Sequence, residues 1–294
     1  MRCRLLTAPL QATAALVARL PQRALLALGR ALAWLGRPLL RSRRRIAAIN
    51  VALCFPALEA KAQRRLADAT VADTVVGALE MLRAWHAPAG RLRGLAEVEG
   101  LEHVKAALAA GRGVLLLTGH FTSYELALRL LGEALGRPVR LVARDHNHAC
   151  LQAWIEASRR RVSGPTLPKK RGREPLLAAL RAGEVVGYLA DQDFSYRHVF
   201  VPFFGVPAAT LAGVPGLVQA SGAIALPLQV RRGEDGRYRL RIEPAWPDWP
   251  SGDEGRDAAR YLAWLEAAVR DAPSQYLWVH RRFKTRPPGE PPLY

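Results

Sequence analysis

Apolar residues return along this chain with two periods, and the switches between them lay out its elements. From Glu59 to about His86, Leu66, Ala69, Val76, Leu79 and Leu82 recur at three-and-four spacing, which predicts one or two amphipathic helices packed on a core. An alternation follows: 101–110 reads as helix, 113–118 as an apolar strand, 124–136 as helix and 139–143 as strand. Next come a helix over 149–161, a loop rich in Pro, Lys and Arg over 164–173, a helix over 174–182 and a strand over 184–190. Two more strands, 223–231 and 238–244, precede a helix over 257–272 and an apolar, strand-like stretch over 276–283. Strands that are apolar throughout and separated by helices are what a sheet covered on both faces requires. The expected fold class is therefore α/β, a mostly parallel sheet flanked by helices.

One apolar stretch fits neither period. Between Asp191 and Thr210, Pro202, Gly205 and Pro207 interrupt Val199, Phe200, Val201, Phe203, Phe204 and Val206, so the reading is an irregular apolar loop. Such a loop is either tucked into the core or lines a channel for an aliphatic chain.

Charge changes the picture at the N-terminus. Ten arginines and no Asp or Glu fall in residues 1–50, interleaved with apolar runs such as Leu5 to Ala18. None of those runs reaches the roughly 18 to 20 residues that span a bilayer. The mixture suits an amphipathic or re-entrant segment with arginines at anionic headgroups, or a soluble helical cap. The expected division is a basic, membrane-anchoring segment over 1–58 and an α/β catalytic domain over 59–294. Across all 294 residues the formal net charge is +18, a bias toward phosphate-rich partners that nucleic acid, a phospholipid layer or a phosphorylated glycolipid would each satisfy. Cys3, Cys54 and Cys150 are too few and too widely spaced for a metal knuckle or a disulfide framework, which points to a reducing compartment.

The candidate chemistry lies at the end of the 113–118 strand. His120 follows it directly and Glu125 stands just inside the next helix, where open α/β sheets place their sites. Five positions on a continuous helix are about 140° apart, so the two meet only if His120 is still in the turn. Glu125 would then fix the imidazole tautomer and leave the other ring nitrogen free to take a proton; a helix-capping histidine beside a solvated glutamate is the plainer alternative. The sequence contains no Gly-x-Ser-x-Gly elbow, no phosphate-binding Gly-x-x-x-x-Gly-Lys loop and no His-Glu-x-x-His helix. His146, His148, Asp191 and Asp193 are the ligand types from which a metal site could be built, but no metal or other cofactor is expected.

Several blocks together carry a resemblance. His120-x4-Glu125, Ala190-Asp-Gln-Asp193, 199–210, Ser221-Gly222 and 275–287, with Arg45-Ile46 and 50–56 near the start, resemble the bacterial late acyltransferases of lipid A biosynthesis over nearly the whole chain. The resemblance implies a glycerol-phosphate-acyltransferase-like fold on the cytoplasmic side of the inner membrane. It implies acyl carrier protein as the donor and the hydroxyl of a 3-hydroxyacyl group on an anionic glycolipid as the acceptor. His120 would be the general base and Glu125 its orienting carboxylate. Arg159 would contact a phosphate or the carrier, with Asp191 as its holder, and Arg144 is a second candidate for that contact. Asp193, Phe200, Phe203 and Phe204 would complete the substrate site, the rings lining the acyl channel. Ala190 stands where the family usually has proline, and 195–198 is atypical, so acceptor preference is left open. Rival readings are the same chemistry on another lipid, such as an ornithine lipid or a mannosylated phosphoinositide, and a non-catalytic basic binding protein.

Overall fold

The computed structural model describes residues 2–88, 90–168 and 172–294, so part of the basic loop expected over 164–173 lies outside the described residues. Four helices come first: α1 (Arg2–Arg19), α2 (Gln22–Leu35), α3 (Arg41–Cys54) and α4 (Ala60–His86). The 3.6-residue period over Glu59 to His86 thus belongs to a single helix, against which α1, α2 and α3 all pack. Then follow β1 (Ala96–Glu99), α5 (Leu101–Ala109), β2 (Val114–Thr118), α6 (Tyr124–Leu135), β3 (Val139–Ala143), α7 (Ala149–Ser163), β4 (Leu167–Pro168), α8 (Glu174–Arg181) and β5 (Val185–Leu189). The chain continues through β6 (His198–Phe203), β7 (Val206–Leu211), α9 (Val214–Ser221), β8 (Ile224–Arg232), β9 (Tyr238–Ile242) and α10 (Glu254–Asp271).

Seven strands form one sheet in the order β1-β9-β8-β2-β5-β3-β4. Every neighbouring pair is parallel except β8 with β9. The burial pattern explains the order. All five residues of β2, Val-Leu-Leu-Leu-Thr, are buried because β2 lies between β8 and β5 under helices on both faces. In β9, Tyr238, Leu240 and Ile242 point inward and Arg239 and Arg241 outward, the alternation of a sheet with one wet face.

A buried polar network fixes the N-terminal helices to this sheet. Glu80 of α4, fully buried, accepts from Arg232 of β8 at 2.7 Å and from the Tyr238 hydroxyl of β9; Gln22 of α2 donates to the same hydroxyl at 2.9 Å. Arg232 also pairs with Asp73 of α4, and removing the arginine would strand Glu80 in a dry interior, which gives the network its hold on position. Ala14, Ala18, Ala47 and Val51, from α1 and α3, belong to the same core cluster as the sheet. Among the described residues no helix is long and apolar enough to cross a membrane.

Three expectations change. The stretch read as an irregular loop contains a hairpin: β6 and β7 pair antiparallel around Phe204 and Gly205, whose φ of 53° and 79° suit a primed two-residue turn. Its two prolines do not break it because Pro202 faces Pro207, so neither is asked for a ladder N–H. The strand-like 276–283 stretch makes only one bridge, Tyr276 to Phe121, and otherwise turns through the core with Trp278 and Phe283 fully buried. Finally, Cys3 and Cys150 are joined by a disulfide, their Cα atoms 5.1 Å apart, which ties α1 to the start of α7 across 147 residues of sequence. A spacing that long has no local signature.

Candidate active site

β2 and β5 are adjacent and parallel with Thr118 opposite Leu189, so the residues just past their carboxyl ends emerge side by side. His120 follows one strand and Asp191 the other. Asp191 accepts from the His120 backbone N–H at 2.8 Å and is 2.6 Å from Nδ1 of its ring. Gly119 permits the approach: a Cβ there would lie 2.4 Å from Leu265 of α10 and 3.4 Å from the Asp191 carboxylate. The turn is also held from outside, since the His120 carbonyl accepts from the Leu277 N–H and Thr122 donates to the Gln275 carbonyl. Tyr261 of α10 donates to the Thr118 carbonyl at 2.8 Å.

Electrostatics define the protonation pattern. Burial pushes the Asp191 carboxyl up, but the neighbouring His120 charge, hydrogen bonds from the His120 ring and backbone, and one from Tyr276 outweigh it and bring the pKa down to about 2. An ionised carboxylate only accepts, so Nδ1 carries the proton it shares, and in the neutral form of the ring Nε2 keeps its lone pair. His120 lines a cavity of about 330 Å³ with Tyr124, Glu125, Val142, Arg144, Arg159 and Tyr188 among its walls. His280 stands behind the pair and accepts from the Asp193 N–H at 3.3 Å; burial and then the nearby His120 pull its pKa down to about 4.

The expected partners are exchanged. Glu125 is not within ion-pair reach of His120; it takes Arg159 in a two-pronged pair, with Nε at 3.2 Å, and also accepts from the Trp85 indole at 2.5 Å. The Arg159 guanidinium lies over the Trp85 ring, 5.4 Å from its centroid. Both lone-pair faces of Glu125 are therefore committed to placing Arg159, and Asp191 holds the imidazole instead of the arginine. Arg144 lines the same cavity from an exposed position. Asp193 lies outside it, accepting from the Thr285 N–H and hydroxyl at 2.9 Å each, and so anchors the C-terminal segment.

The three phenylalanines are not at the cavity either. Phe203 and Phe204 join Phe55, Tyr276 and Trp278 in a buried aromatic cluster, with the Phe203 and Phe204 centroids 4.9 Å apart. Phe200 packs edge-on against His198. The hairpin that carries these rings packs on α10, and Phe203 and Phe204 are buried there and not at the cavity of His120. His146 and His148 are exposed, and among the described residues no group of three or more His, Cys, Asp or Glu is placed to hold a metal ion.

An imidazole with one nitrogen fixed by a carboxylate and the other free in a cavity beside an arginine is equipped to take a proton from a hydroxyl next to an anion. A family model described as bacterial lipid A biosynthesis acyltransferase matches residues 10–285. The chain belongs to that family. Among relatives of this lipid A acyltransferase family, the Escherichia coli (strain K12) lipid A biosynthesis palmitoleoyltransferase is 36% identical over 94% of this chain and 90% of its own length. The lauroyltransferase of the same organism is 34% identical over 95% of this chain and 91% of its own. Its myristoyltransferase is 28% identical over 85% and 78%. The protein is thus an acyltransferase, and the reading as a non-catalytic basic binding protein falls away.

Neither Trp85 nor the pairing of Asp191 with His120 was read from the sequence. The signal for the second was present, since both residues follow apolar strands by one or two positions, but it needs the strand order to be used.

Proposed function

We propose that this acyltransferase moves a fatty acyl group from an acyl carrier protein thioester to the hydroxyl of a 3-hydroxyacyl chain on a lipid A precursor, with His120 as general base and Asp191 as the group that orients it. The observation that carries the reading is the His120 Nδ1 to Asp191 contact at 2.6 Å in a residue that lines the cavity, so that the carboxylate engages one ring nitrogen and not Nε2. A secondary hydroxyl is a poor nucleophile at neutral pH; loss of its proton to Nε2 as the new carbon–oxygen bond forms is worth roughly a hundredfold to ten-thousandfold. The ionised Asp191 stabilises the imidazolium that results. Collapse of the tetrahedral adduct breaks the carbon–sulfur bond, and the imidazolium returns the proton to the departing thiolate. No covalent acyl-enzyme is needed.

Arg159, set by Glu125 and Trp85, supplies a forked cation for a phosphate of the acceptor, and Arg144 adds a second charge from the rim. Expected delivery of the acceptor is from the cytoplasmic face of the inner membrane. The N-terminal segment supports contact with a membrane surface: Leu16, Trp34, Leu35 and Leu39 are exposed, with Leu39 at 91%, among the exposed Arg23, Arg30, Arg37 and Arg41. Mass spectrometry of the lipids formed from carrier thioesters and a tetra-acylated or penta-acylated lipid A precursor tests the assignment. A product heavier by one acyl group is expected, absent with His120→Ala; transfer at near-normal rate by His120→Ala would refute the mechanism, and acylation only of a different lipid would refute the acceptor.

A further inference from the structure

A second cavity, of about 290 Å³, adjoins the one that holds His120 and shares Val142 and Tyr188 with it as walls. It runs between β3, β5, α8 and the start of α9, where Leu176 and Leu217 are buried side chains on its surface. The charged residues along it, Arg173, Arg197 and Glu254, are all exposed, so its inner wall offers an occupant almost nothing but hydrocarbon. Two glycines of the α9 start, Gly213 and Gly216, also line it, and a Cβ built on either meets nothing within 4 Å. The space in front of them is therefore bounded by the absence of side chains.

We propose that this cavity holds the alkyl tail of the acyl donor, and that the bare surface at Gly213 and Gly216 sets how long a tail fits. The proposal rests on the reading of His120 as the base for acyl transfer. A thioester carbonyl placed at Nε2 has a single apolar tail that must leave the catalytic cavity, and Val142 and Tyr188 border an apolar continuation of it. Arg144 and Arg159 line the catalytic cavity and not this one, which separates an anionic headgroup from the hydrocarbon. Size agrees as well: pockets for small ligands begin at about 300 Å³, the order of volume a fatty acyl tail needs. The aromatic cluster around Phe203, in contrast, is packed solid.

Because Gly216 lies inside α9 and a Cβ there meets open space, a side chain can be started there without displacing a neighbour, and every residue but proline favours a helix over glycine. Gly216→Ala, Gly216→Leu and Leu217→Ala form a graded set, each checked by a thermal melt and assayed with a mixture of carrier thioesters stepped by two carbons. Gly216→Leu should move preference to shorter donors, changing the rate ratio of the best native donor to the next shorter one by about tenfold or more. Gly216→Ala should move it less in the same direction, and Leu217→Ala toward longer tails. Displacement of a fluorescent alkyl probe, which needs no turnover, should show weaker binding in Gly216→Leu. Unchanged donor preference in folded variants, or a shift in acceptor use alone, would overturn the proposal while leaving acyl transfer intact. If the wild type transferred nothing, the reaction would be wrong, and equal probe binding by Gly216→Leu and wild type would still refute the cavity's role on its own.

Discussion

At the scale of single residues, the site works by committing each charged group to one task. Asp191 is spent on the His120 imidazole and Glu125 on Arg159, and this division makes the two carboxylates separable by experiment. Asp191→Asn should lower kcat about a hundredfold or more, because an amide can bond Nδ1 in the wrong tautomer and no longer balances the imidazolium. Glu125→Gln should act chiefly through KM for the phosphorylated acceptor, since it loosens Arg159 without touching His120. Steady-state kinetics with varied acceptor decides it, and a kcat defect larger in Glu125→Gln than in Asp191→Asn would restore Glu125 to the role the sequence suggested. Acid sensitivity follows from the same residues. His280 has a folded pKa of about 4 against an ordinary 6.5, so its neutral form favours the fold, and that contribution is full above 6.5 and lost as pH falls toward 4. The groups facing it are His120, Asp191, Asp193 and Arg282. Asp191, depressed from 3.8 to about 2, adds a second loss below pH 4. Urea midpoints measured across pH should fall in these two steps, and His280→Gln should abolish the first.

Elements were legible where one period ran long enough to leave no choice. Val76 and Leu79, three positions apart, can share a face only on a helix, and the apolar runs at Val114 and Val185 can be buried on both sides only as inner strands. The β6–β7 hairpin was not legible because Pro202 and Pro207 read singly as breakers, while in the fold each excuses the other. The 276–283 segment failed for the opposite reason: its apolar residues satisfy a core by turning, with Asn50 of α3 donating to the Trp278 and His280 carbonyls at 2.6 and 2.7 Å in place of a neighbouring strand. Phe203, fully buried, is central to this packing, and Arg282, also buried, donates to the Ala209 carbonyl and the Thr210 hydroxyl behind it. Phe203→Ala should therefore cost about 3 to 5 kcal/mol of stability and leave donor chain preference unchanged. Chemical denaturation beside the donor competition assay reads both, and a chain-length shift at full stability would return the acyl channel to this hairpin.

For the molecule as a whole, the N-terminal helices do two jobs at once. Their inner faces join the core and the buried Glu80 network, while Trp34, Leu35 and Leu39 are left in water among arginines. Anionic vesicles should therefore sediment the protein at low salt and release it as salt rises, and replacing Trp34, Leu35 and Leu39 together by serine should weaken binding at every salt concentration. Unaltered binding by that triple variant would move the membrane surface elsewhere. The Cys3–Cys150 bridge ties the same helices to α7, which carries Arg159. Thiol labelling of the denatured, unreduced protein should find one group, Cys54, and all three after reduction; three before reduction would show that the bridge does not form.

By itself the sequence determined the α/β class, the basic and apolar character of the N-terminus, and His120 at the end of an apolar strand, because periodicity, charge and strand-end position are all local in the chain. Which carboxylate the imidazole meets was decided by tertiary structure. Glu125 is five positions from His120 and Asp191 seventy-one, yet β5 lies beside β2 in parallel register, and that single pairing sets Asp191 against Nδ1 and turns Glu125 toward Trp85 and Arg159. The same holds for the aromatic hairpin, drawn into the core by α10, and for the cavity at Gly213 and Gly216, which exists only where four elements fail to fill the space between them. Hydrogen bonds and packing act over ångströms in space and are indifferent to distance along the chain.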